Sequence, residues 1–282
     1  MYIEKILLNE ENENVYLDAY IADKISSFTR KAILVIPGGA YRSICSEREG
    51  EPIAIAFLNA GFNAFVLHYS VIDNNDNLKF PTQLIEASRA IKHIKDNAER
   101  YGIDKEQLFV TGFSAGGHLC ASIGILWDLP EIYAAIDMPY GYNKPTGILP
   151  IYPVVTCTPP DMLPGTLKNL LRCENPTSEM LDKVCLEKHV NEQSSPMFLL
   201  HTANDTSVPV FNSLALAKAY AEANLTFELH IYPDAPHGVA LGNNITKCDN
   251  DAWVDSAIAS WIDSAVYWME HLPHKAKYIK NK

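Results

Sequence analysis

A serine set among small residues, Gly112-Phe113-Ser114-Ala115-Gly116-Gly117-His118, follows the β-branched and aromatic run 108–111 and opens a small-residue segment. This order reads as a nucleophile elbow, a sharp strand-to-helix turn that lifts a serine hydroxyl clear of a strand end. Such a turn leaves almost no room for side chains two positions before and after the serine, and Gly112 and Gly116 meet that need. A serine hydroxyl is a weak nucleophile at neutral pH. It needs a base within hydrogen-bond reach and a third group that fixes the base's tautomer. After an elbow these follow in the order acid, then histidine. The chain offers His201-Thr202-Ala203-Asn204-Asp205 past the apolar run 197–200, and Pro236-His237-Gly238 past the run 227–232. Asp205 and His237 thus fall at the ends of consecutive predicted strands, on the rim that carries Ser114. Asp234 is the rival acid, but in the same loop as His237 it is poorly placed to receive the ring N–H. Ser114 is the candidate nucleophile, His237 the base and Asp205 the acid.

Acyl transfer also requires donors aimed at the developing oxyanion, each worth about 3 kcal/mol. Pro37-Gly38-Gly39-Ala40-Tyr41 follows the predicted strand 32–36, and a helix beginning behind Ser114 directs N–H groups at the same point. The expected donors are the N–H groups of Gly39, Ala40 and Ala115. An alanine serves there unless its φ is positive. Tyr41, Trp127, Tyr140, Tyr142 and Tyr152 are candidates to stack on a flat face of a substrate, although ordinary packing accounts for each taken singly. His118 is expected to face the helix packing or the pocket floor, His68 to end a strand and His201 to brace the Asp205 loop. His93, His189, His230, His271 and His274 read as surface residues.

The elements that must position these groups alternate. Apolar β-branched runs at 3–8, 15–21, 32–36, 63–69, 108–111, 147–152, 197–202 and 227–232 are separated by amphipathic segments. That pattern predicts a mainly parallel sheet with helices on both faces, opened by an antiparallel pair around the turn 9–14. Helices are predicted at 51–60, from 81 to an exit at Gly102, at 115–126, 207–223 and 252–271. Two insertions, 127–146 and 154–196, interrupt the alternation, and the second holds one predicted helix after Pro176. Both are expected to leave the carboxyl ends of strands, where open α/β sheets bind ligands, and to serve as cap and pocket loops.

The chain has 282 residues, 48% of them hydrophobic, which fits one large α/β domain spanning 1–282. A formal charge of −11 argues against a nucleic-acid surface, because duplex binding draws most of its affinity from Lys and Arg neutralising phosphates. Glycine pairs also cradle phosphates, but no Lys-Ser/Thr follows and no Gly-x-Gly-x-x-Gly occurs, so a nucleotide site is a weak reading. The six cysteines are scattered without zinc-ligand spacing and read as reduced thiols; no metal or cofactor is expected. Glu4 stands where a signal peptide needs a basic start, and no apolar run approaches membrane-spanning length. A soluble cytoplasmic protein is the expectation, with neither membrane nor nucleic acid as partner and a homodimer left open.

The loop at 37–41, the stretch Ser46-Glu47-Arg48-Glu49-Gly50-Glu51-Pro52, the elbow, the Asp205 segment and Pro236-His237-Gly238 together resemble the bacterial acetyl-xylan and feruloyl esterase-like α/β-hydrolases, whose members are often labelled lipase/esterase or sugar hydrolase. The resemblance runs from about Lys31 to His271. It implies an eight-stranded α/β-hydrolase core and metal-free ester hydrolysis, commonly of acetyl groups on sugars, with Ser114 as nucleophile, Asp205 as acid and His237 as base. Two departures stand out: no histidine opens the oxyanion loop, and Ala40 replaces the usual third glycine. Small esters, such as acetylated oligosaccharides, are the expected substrates. Two alternatives use the same residues: an amidase, peptidase or formamidase on this fold, or a retired hydrolase that binds a carbohydrate or a partner.

Overall fold

The computed structural model describes all residues except 10, 11, 27, 76, 77, 250 and 280–282, with backbone but not side chains for 273–279. Eight strands form one sheet: β1 (Tyr2–Leu7), β2 (Tyr16–Ile21), β3 (Arg30–Ile36), β4 (Asn63–His68), β5 (Ile103–Phe113), β6 (Gly147–Ile151), β7 (Met197–Thr202) and β8 (Phe227–Tyr232). Their spatial order is β1-β2-β4-β3-β5-β6-β7-β8. β1 pairs antiparallel with β2 and β2 with β4, and every pairing from β4 to β8 is parallel. β6 and β7 are buried along their whole length. This is why they are continuously apolar rather than alternating.

The helices in chain order are α1 (Ser46–Glu49), α2 (Glu51–Asn59), α3 (Thr82–Asp96), α4 (Ala98–Tyr101), α5 (Ala115–Ile125), α6 (Pro130–Ala135), α7 (Pro164–Leu171), α8 (Ser178–Asp182), α9 (Phe211–Glu222), α10 (Ser256–Ala259) and α11 (Trp261–Ile279). α3, α5 and α9 cover one face of the sheet through Leu84, Ile91, Leu119, Leu216 and Tyr220. α2 and α11 cover the other through Phe57, Trp261 and Trp268. Trp261 meets Phe57 and Phe113 edge-on at 6.0 and 6.2 Å, and its indole N–H donates to the Ala240 carbonyl at 3.0 Å. Among the described residues no helix is long and apolar enough to cross a membrane.

Several predicted helices are shorter or broken, each for a local reason. The helix expected to run to Gly102 breaks at Asn97, whose side-chain amide donates to the His93 carbonyl at 2.8 Å; Gly102 then supplies the left-handed exit at φ +64°. The helix predicted from 207 begins only at Phe211, because the Asp205 carboxylate takes the N–H groups of Ser207 and Val208 in a turn. The segment 252–271 divides where Asp255 caps α10 through Ala257 and Ile258. The insertion 154–196 holds α7 as well as the predicted helix, with Pro164 in the first turn.

The insertion 127–146 does not lie where it is expected. α5 runs back from the carboxyl edge of the sheet, so the chain leaving it emerges at the amino edge. There Thr146 N–H donates to the Leu108 carbonyl at 2.8 Å and Lys95 reaches the Tyr142 carbonyl at 2.8 Å. Only a segment that follows a strand, as 154–196 follows β6, reaches the other rim.

The second core is the more dependent on large rings. Trp268 is 1% exposed and contacts Phe109 and Phe198. Trp268→Ala should destabilise the protein by roughly 3–5 kcal/mol through transfer and cavity costs. A matching drop in the urea midpoint checks this.

Candidate active site

The elbow is a steric construction. Ser114 sits between β5 and α5 at φ +54° and ψ −117°, outside the regions that L-residues favour. A Cβ at Gly112 would lie 2.2 Å from the Gly116 carbonyl oxygen, and one at Gly116 would lie 2.2 Å from that of Ile36. Neither contact is survivable, so both positions require glycine. The Ser114 N–H donates to Ile151 at the end of β6 (3.0 Å), which fixes the turn against the sheet.

The histidine ring bridges two partners. His237 Nε2 lies 2.8 Å from Ser114 Oγ, and Nδ1 lies 2.6 Å from Asp205 Oδ2. Ionised Asp205 can only accept, so Nδ1 carries the proton and Nε2 offers its lone pair to the serine hydroxyl. The Asp205 side chain is fully buried. Burial alone would raise its pKa, but hydrogen bonds from His201 and His237 outweigh that and hold the carboxyl well below the usual carboxylate range. Its other oxygen accepts from Ser207 and Val208, both at 2.9 Å. His201 donates from Nε2 to the Val208 carbonyl (2.9 Å) and accepts the Ser213 hydroxyl on Nδ1 (2.6 Å), bracing that turn. Asp234 instead receives the Asn204 amide.

Beside Ser114, Gly39, Ala40 and Tyr41 all have positive φ, at +127°, +56° and +56°. Among the described residues the N–H groups of Gly39, Ala40 and Ala115 have no protein acceptor, and Gly39 and Ala40 line the same hollow as Ser114. The alanine does occupy the conformation that disfavours it, and the loop is held there from behind. Tyr41 donates its hydroxyl to His118 Nδ1 (2.8 Å), whose Nε2–H donates to the Val184 carbonyl (3.0 Å). Burial lowers the His118 pKa to about 4, which keeps the ring neutral for this arrangement. Tyr69 donates to the Pro37 carbonyl at 2.8 Å, and Asn169 of α7 donates to the Ala40 carbonyl at 2.8 Å.

These groups open onto a hollow of about 400 Å³ whose walls include Ser43, Cys45, Arg48, Glu49, Leu163, Thr166, Ser207 and Val208. The aromatic candidates are not its lining. Trp127, Tyr140 and Tyr142 lie with the insertion at the amino edge, where Trp127 packs against Tyr140 and Tyr142 donates to Asp96. Tyr41 is buried behind the oxyanion loop. Tyr152 is buried too, its ring edge-on to His237 at 5.1 Å and its hydroxyl on Glu49. Of the histidines read as surface residues, His93, His189, His230 and His271 are all half-buried, His93 against Tyr101 and His230 against Phe198; the side chain of His274 lies outside the described residues. Arg48 and Glu49 are not among the site residues expected from sequence, although their place in the 46–52 stretch that carries the family resemblance was the available signal.

The BD-FAE family model matches residues 17–220, a span that includes the glycine loop at 37–41, Ser114 and Asp205. Endo-1,4-beta-xylanase B of Butyrivibrio fibrisolvens is 38% identical over 221 residues, covering 76% of this chain and 33% of that protein. The chain spans about a third to a half of the length of the curated relatives it matches. Among solved structures, an acetyl ester-xyloside bifunctional hydrolase from Caldicellulosiruptor lactoaceticus is 31% identical with a TM-score of 0.81, covering 96% of each chain. The carboxylesterase Cest-2923 from Lactobacillus plantarum WCFS1 is 26% identical with a TM-score of 0.83, covering 97% of this chain and 98% of that one. The fold is therefore the α/β-hydrolase fold.

Ala40 gives the oxyanion loop a test of its own. Left-handed alanine costs roughly 1–2 kcal/mol, so Ala40→Gly should keep kcat within about threefold of the parent, whereas the β-branched Ala40→Val should lower kcat at least about tenfold by closing that conformation. Steady-state kinetics on an aryl acetate separate the two.

Proposed function

The chain belongs to the BD-FAE family, and from that premise we propose that it is a serine esterase that hydrolyses short-chain carboxylic esters, acetyl groups on small carbohydrates in particular. The observation that carries this reading is the unbroken hydrogen-bonded path from Ser114 through His237 to Asp205. As Ser114 Oγ bonds to the acyl carbon, its proton passes to His237 Nε2, and Asp205 steadies the imidazolium. The carbonyl oxygen takes up negative charge among the N–H groups of Gly39, Ala40 and Ala115, where fixed donors are most effective. The Nε2 proton then goes to the departing alcohol. Water, deprotonated by the same ring, releases the acid and restores the serine.

Residues on the wall of the hollow support the substrate class. Ser43, Thr166, Ser207 and Arg48 are among them, and side chains of these types can hydrogen-bond a polyhydroxy alcohol. The name of the Caldicellulosiruptor structure, an acetyl ester-xyloside hydrolase, points the same way.

Ser114→Ala should lower kcat on an aryl acetate by at least about a thousandfold, and Asp205→Asn by about ten thousandfold through loss of the correct tautomer. Steady-state assays with folding verified by circular dichroism check both. Ser114→Ala activity within tenfold of the parent would remove the mechanism. In a panel of acetylated xylo-oligosaccharides, long-chain esters and N-formyl amides, the first should give the highest kcat/KM.

A further inference from the structure

The mechanism just proposed gives Arg48 and Glu49 no step, yet both hold segments that it uses. Glu49 is 4% exposed, and its carboxylate accepts two hydrogen bonds: the Gly38 N–H at 2.8 Å on Oε2 and the Tyr152 hydroxyl at 2.9 Å on Oε1. The Tyr152 oxygen in turn accepts the Ala240 N–H at 3.1 Å. Arg48 donates to the Gly238 carbonyl, the residue after His237, and to the Thr246 carbonyl at 2.9 Å. One short helix therefore grips the oxyanion loop with one residue and the histidine loop with both.

The fit around Glu49 is close. A Cβ placed on Gly38 would lie 2.8 Å from Glu49 Oε2 and 3.0 Å from Ser114 Cβ, so carboxylate and nucleophile flank the same backbone atom. Burial pushes the Glu49 carboxyl above the usual carboxylate range, against the hydrogen bonds from Gly38 and Tyr152 and the nearby His237. A buried carboxylate is costly unless its partners are well placed. Placing one here makes physical sense if it fixes geometry that the reaction needs.

We infer that Glu49 is a positioning residue for acyl transfer, orienting the Gly38-Gly39-Ala40 peptides through Gly38 and setting the His237 loop through Tyr152 and Ala240. It touches no reacting atom. The inference rests on the serine esterase reading. Because the Gly39 and Ala40 N–H groups meet full negative charge only in the transition state, loosening them should appear in kcat and not in KM.

The test is Glu49→Gln in the full chain, which keeps the volume but faces an amide N–H toward either Gly38 N–H or the Tyr152 hydroxyl. Expected are a fall in kcat on p-nitrophenyl acetate of about a hundredfold, a KM within about threefold, and a comparably slower labelling of Ser114 by a fluorophosphonate. A kcat within about threefold of the parent, or a loss carried wholly by KM, overturns the inference. Tyr152→Phe keeps the ring and cuts the relay, and it decides the question if Glu49→Gln fails to fold: a kcat loss of about tenfold at constant KM is expected, and an unchanged kcat overturns it. The parent protein is labelled alongside. A parent unlabelled at Ser114 removes the esterase reading and this inference with it, whereas a labelled parent beside an unimpaired Glu49→Gln removes this inference alone.

Discussion

Everything at the site hangs on the turn at Ser114, where a strand ends and a helix begins with no residue to spare. The serine stands in an unfavourable conformation at φ +54°. Strain of this kind, roughly 1–3 kcal/mol, persists only where the surroundings over-determine it. Here they do: the Ile36 and Gly116 carbonyls close in on the two glycines, and Ile151 takes the serine N–H. The same closeness brings the strand ends of β3, β5 and β6 to one place. The glycine loop at 37–41, Ser114 and Tyr152 are therefore neighbours as a consequence of sheet order.

The histidine reaches that place differently. β7 and β8 lie further along the sheet, and their loops must lean back toward β5. Asp205 anchors the first by taking two backbone N–H groups, and Arg48, Tyr152 and Trp261 anchor the second through Gly238 and Ala240. The site is thus a set of loops held by buried polar contacts on a rigid apolar sheet. Such a design leaves the insertion 154–196, with α7 and its Asn169 contact to Ala40, free to vary without disturbing the sheet.

What can be read from sequence divides along the range of the interactions. The elbow is legible because its sterics act between residues two positions apart, and Asp205 and His237 are legible because parallel strands deliver their ends to one rim. The place of 127–146 is misjudged by counting it from a strand when it follows a helix, and the aromatic residues in it go with it. Helix starts at 211 and 256 depend on side-chain caps that periodicity does not register. Glu49 and Arg48 are hidden for a plainer reason: their partners lie 11, 103 and 190 residues away, at Gly38, Tyr152 and Gly238. Ala40 is intermediate. Its conflict with a positive φ can be stated from sequence as a condition, but only the backbone shows that the condition is met.

The account stands on Ser114 carrying the acyl group between the two halves of the reaction. Rapid mixing of the protein with an aryl acetate, quenching in acid and peptide mass spectrometry observe that group directly. The account predicts a transient acetyl on the peptide bearing Ser114, formed with a burst of phenol and decaying at the turnover rate. Steady hydrolysis with no acetylated peptide, or with the acetyl on another residue, would contradict it.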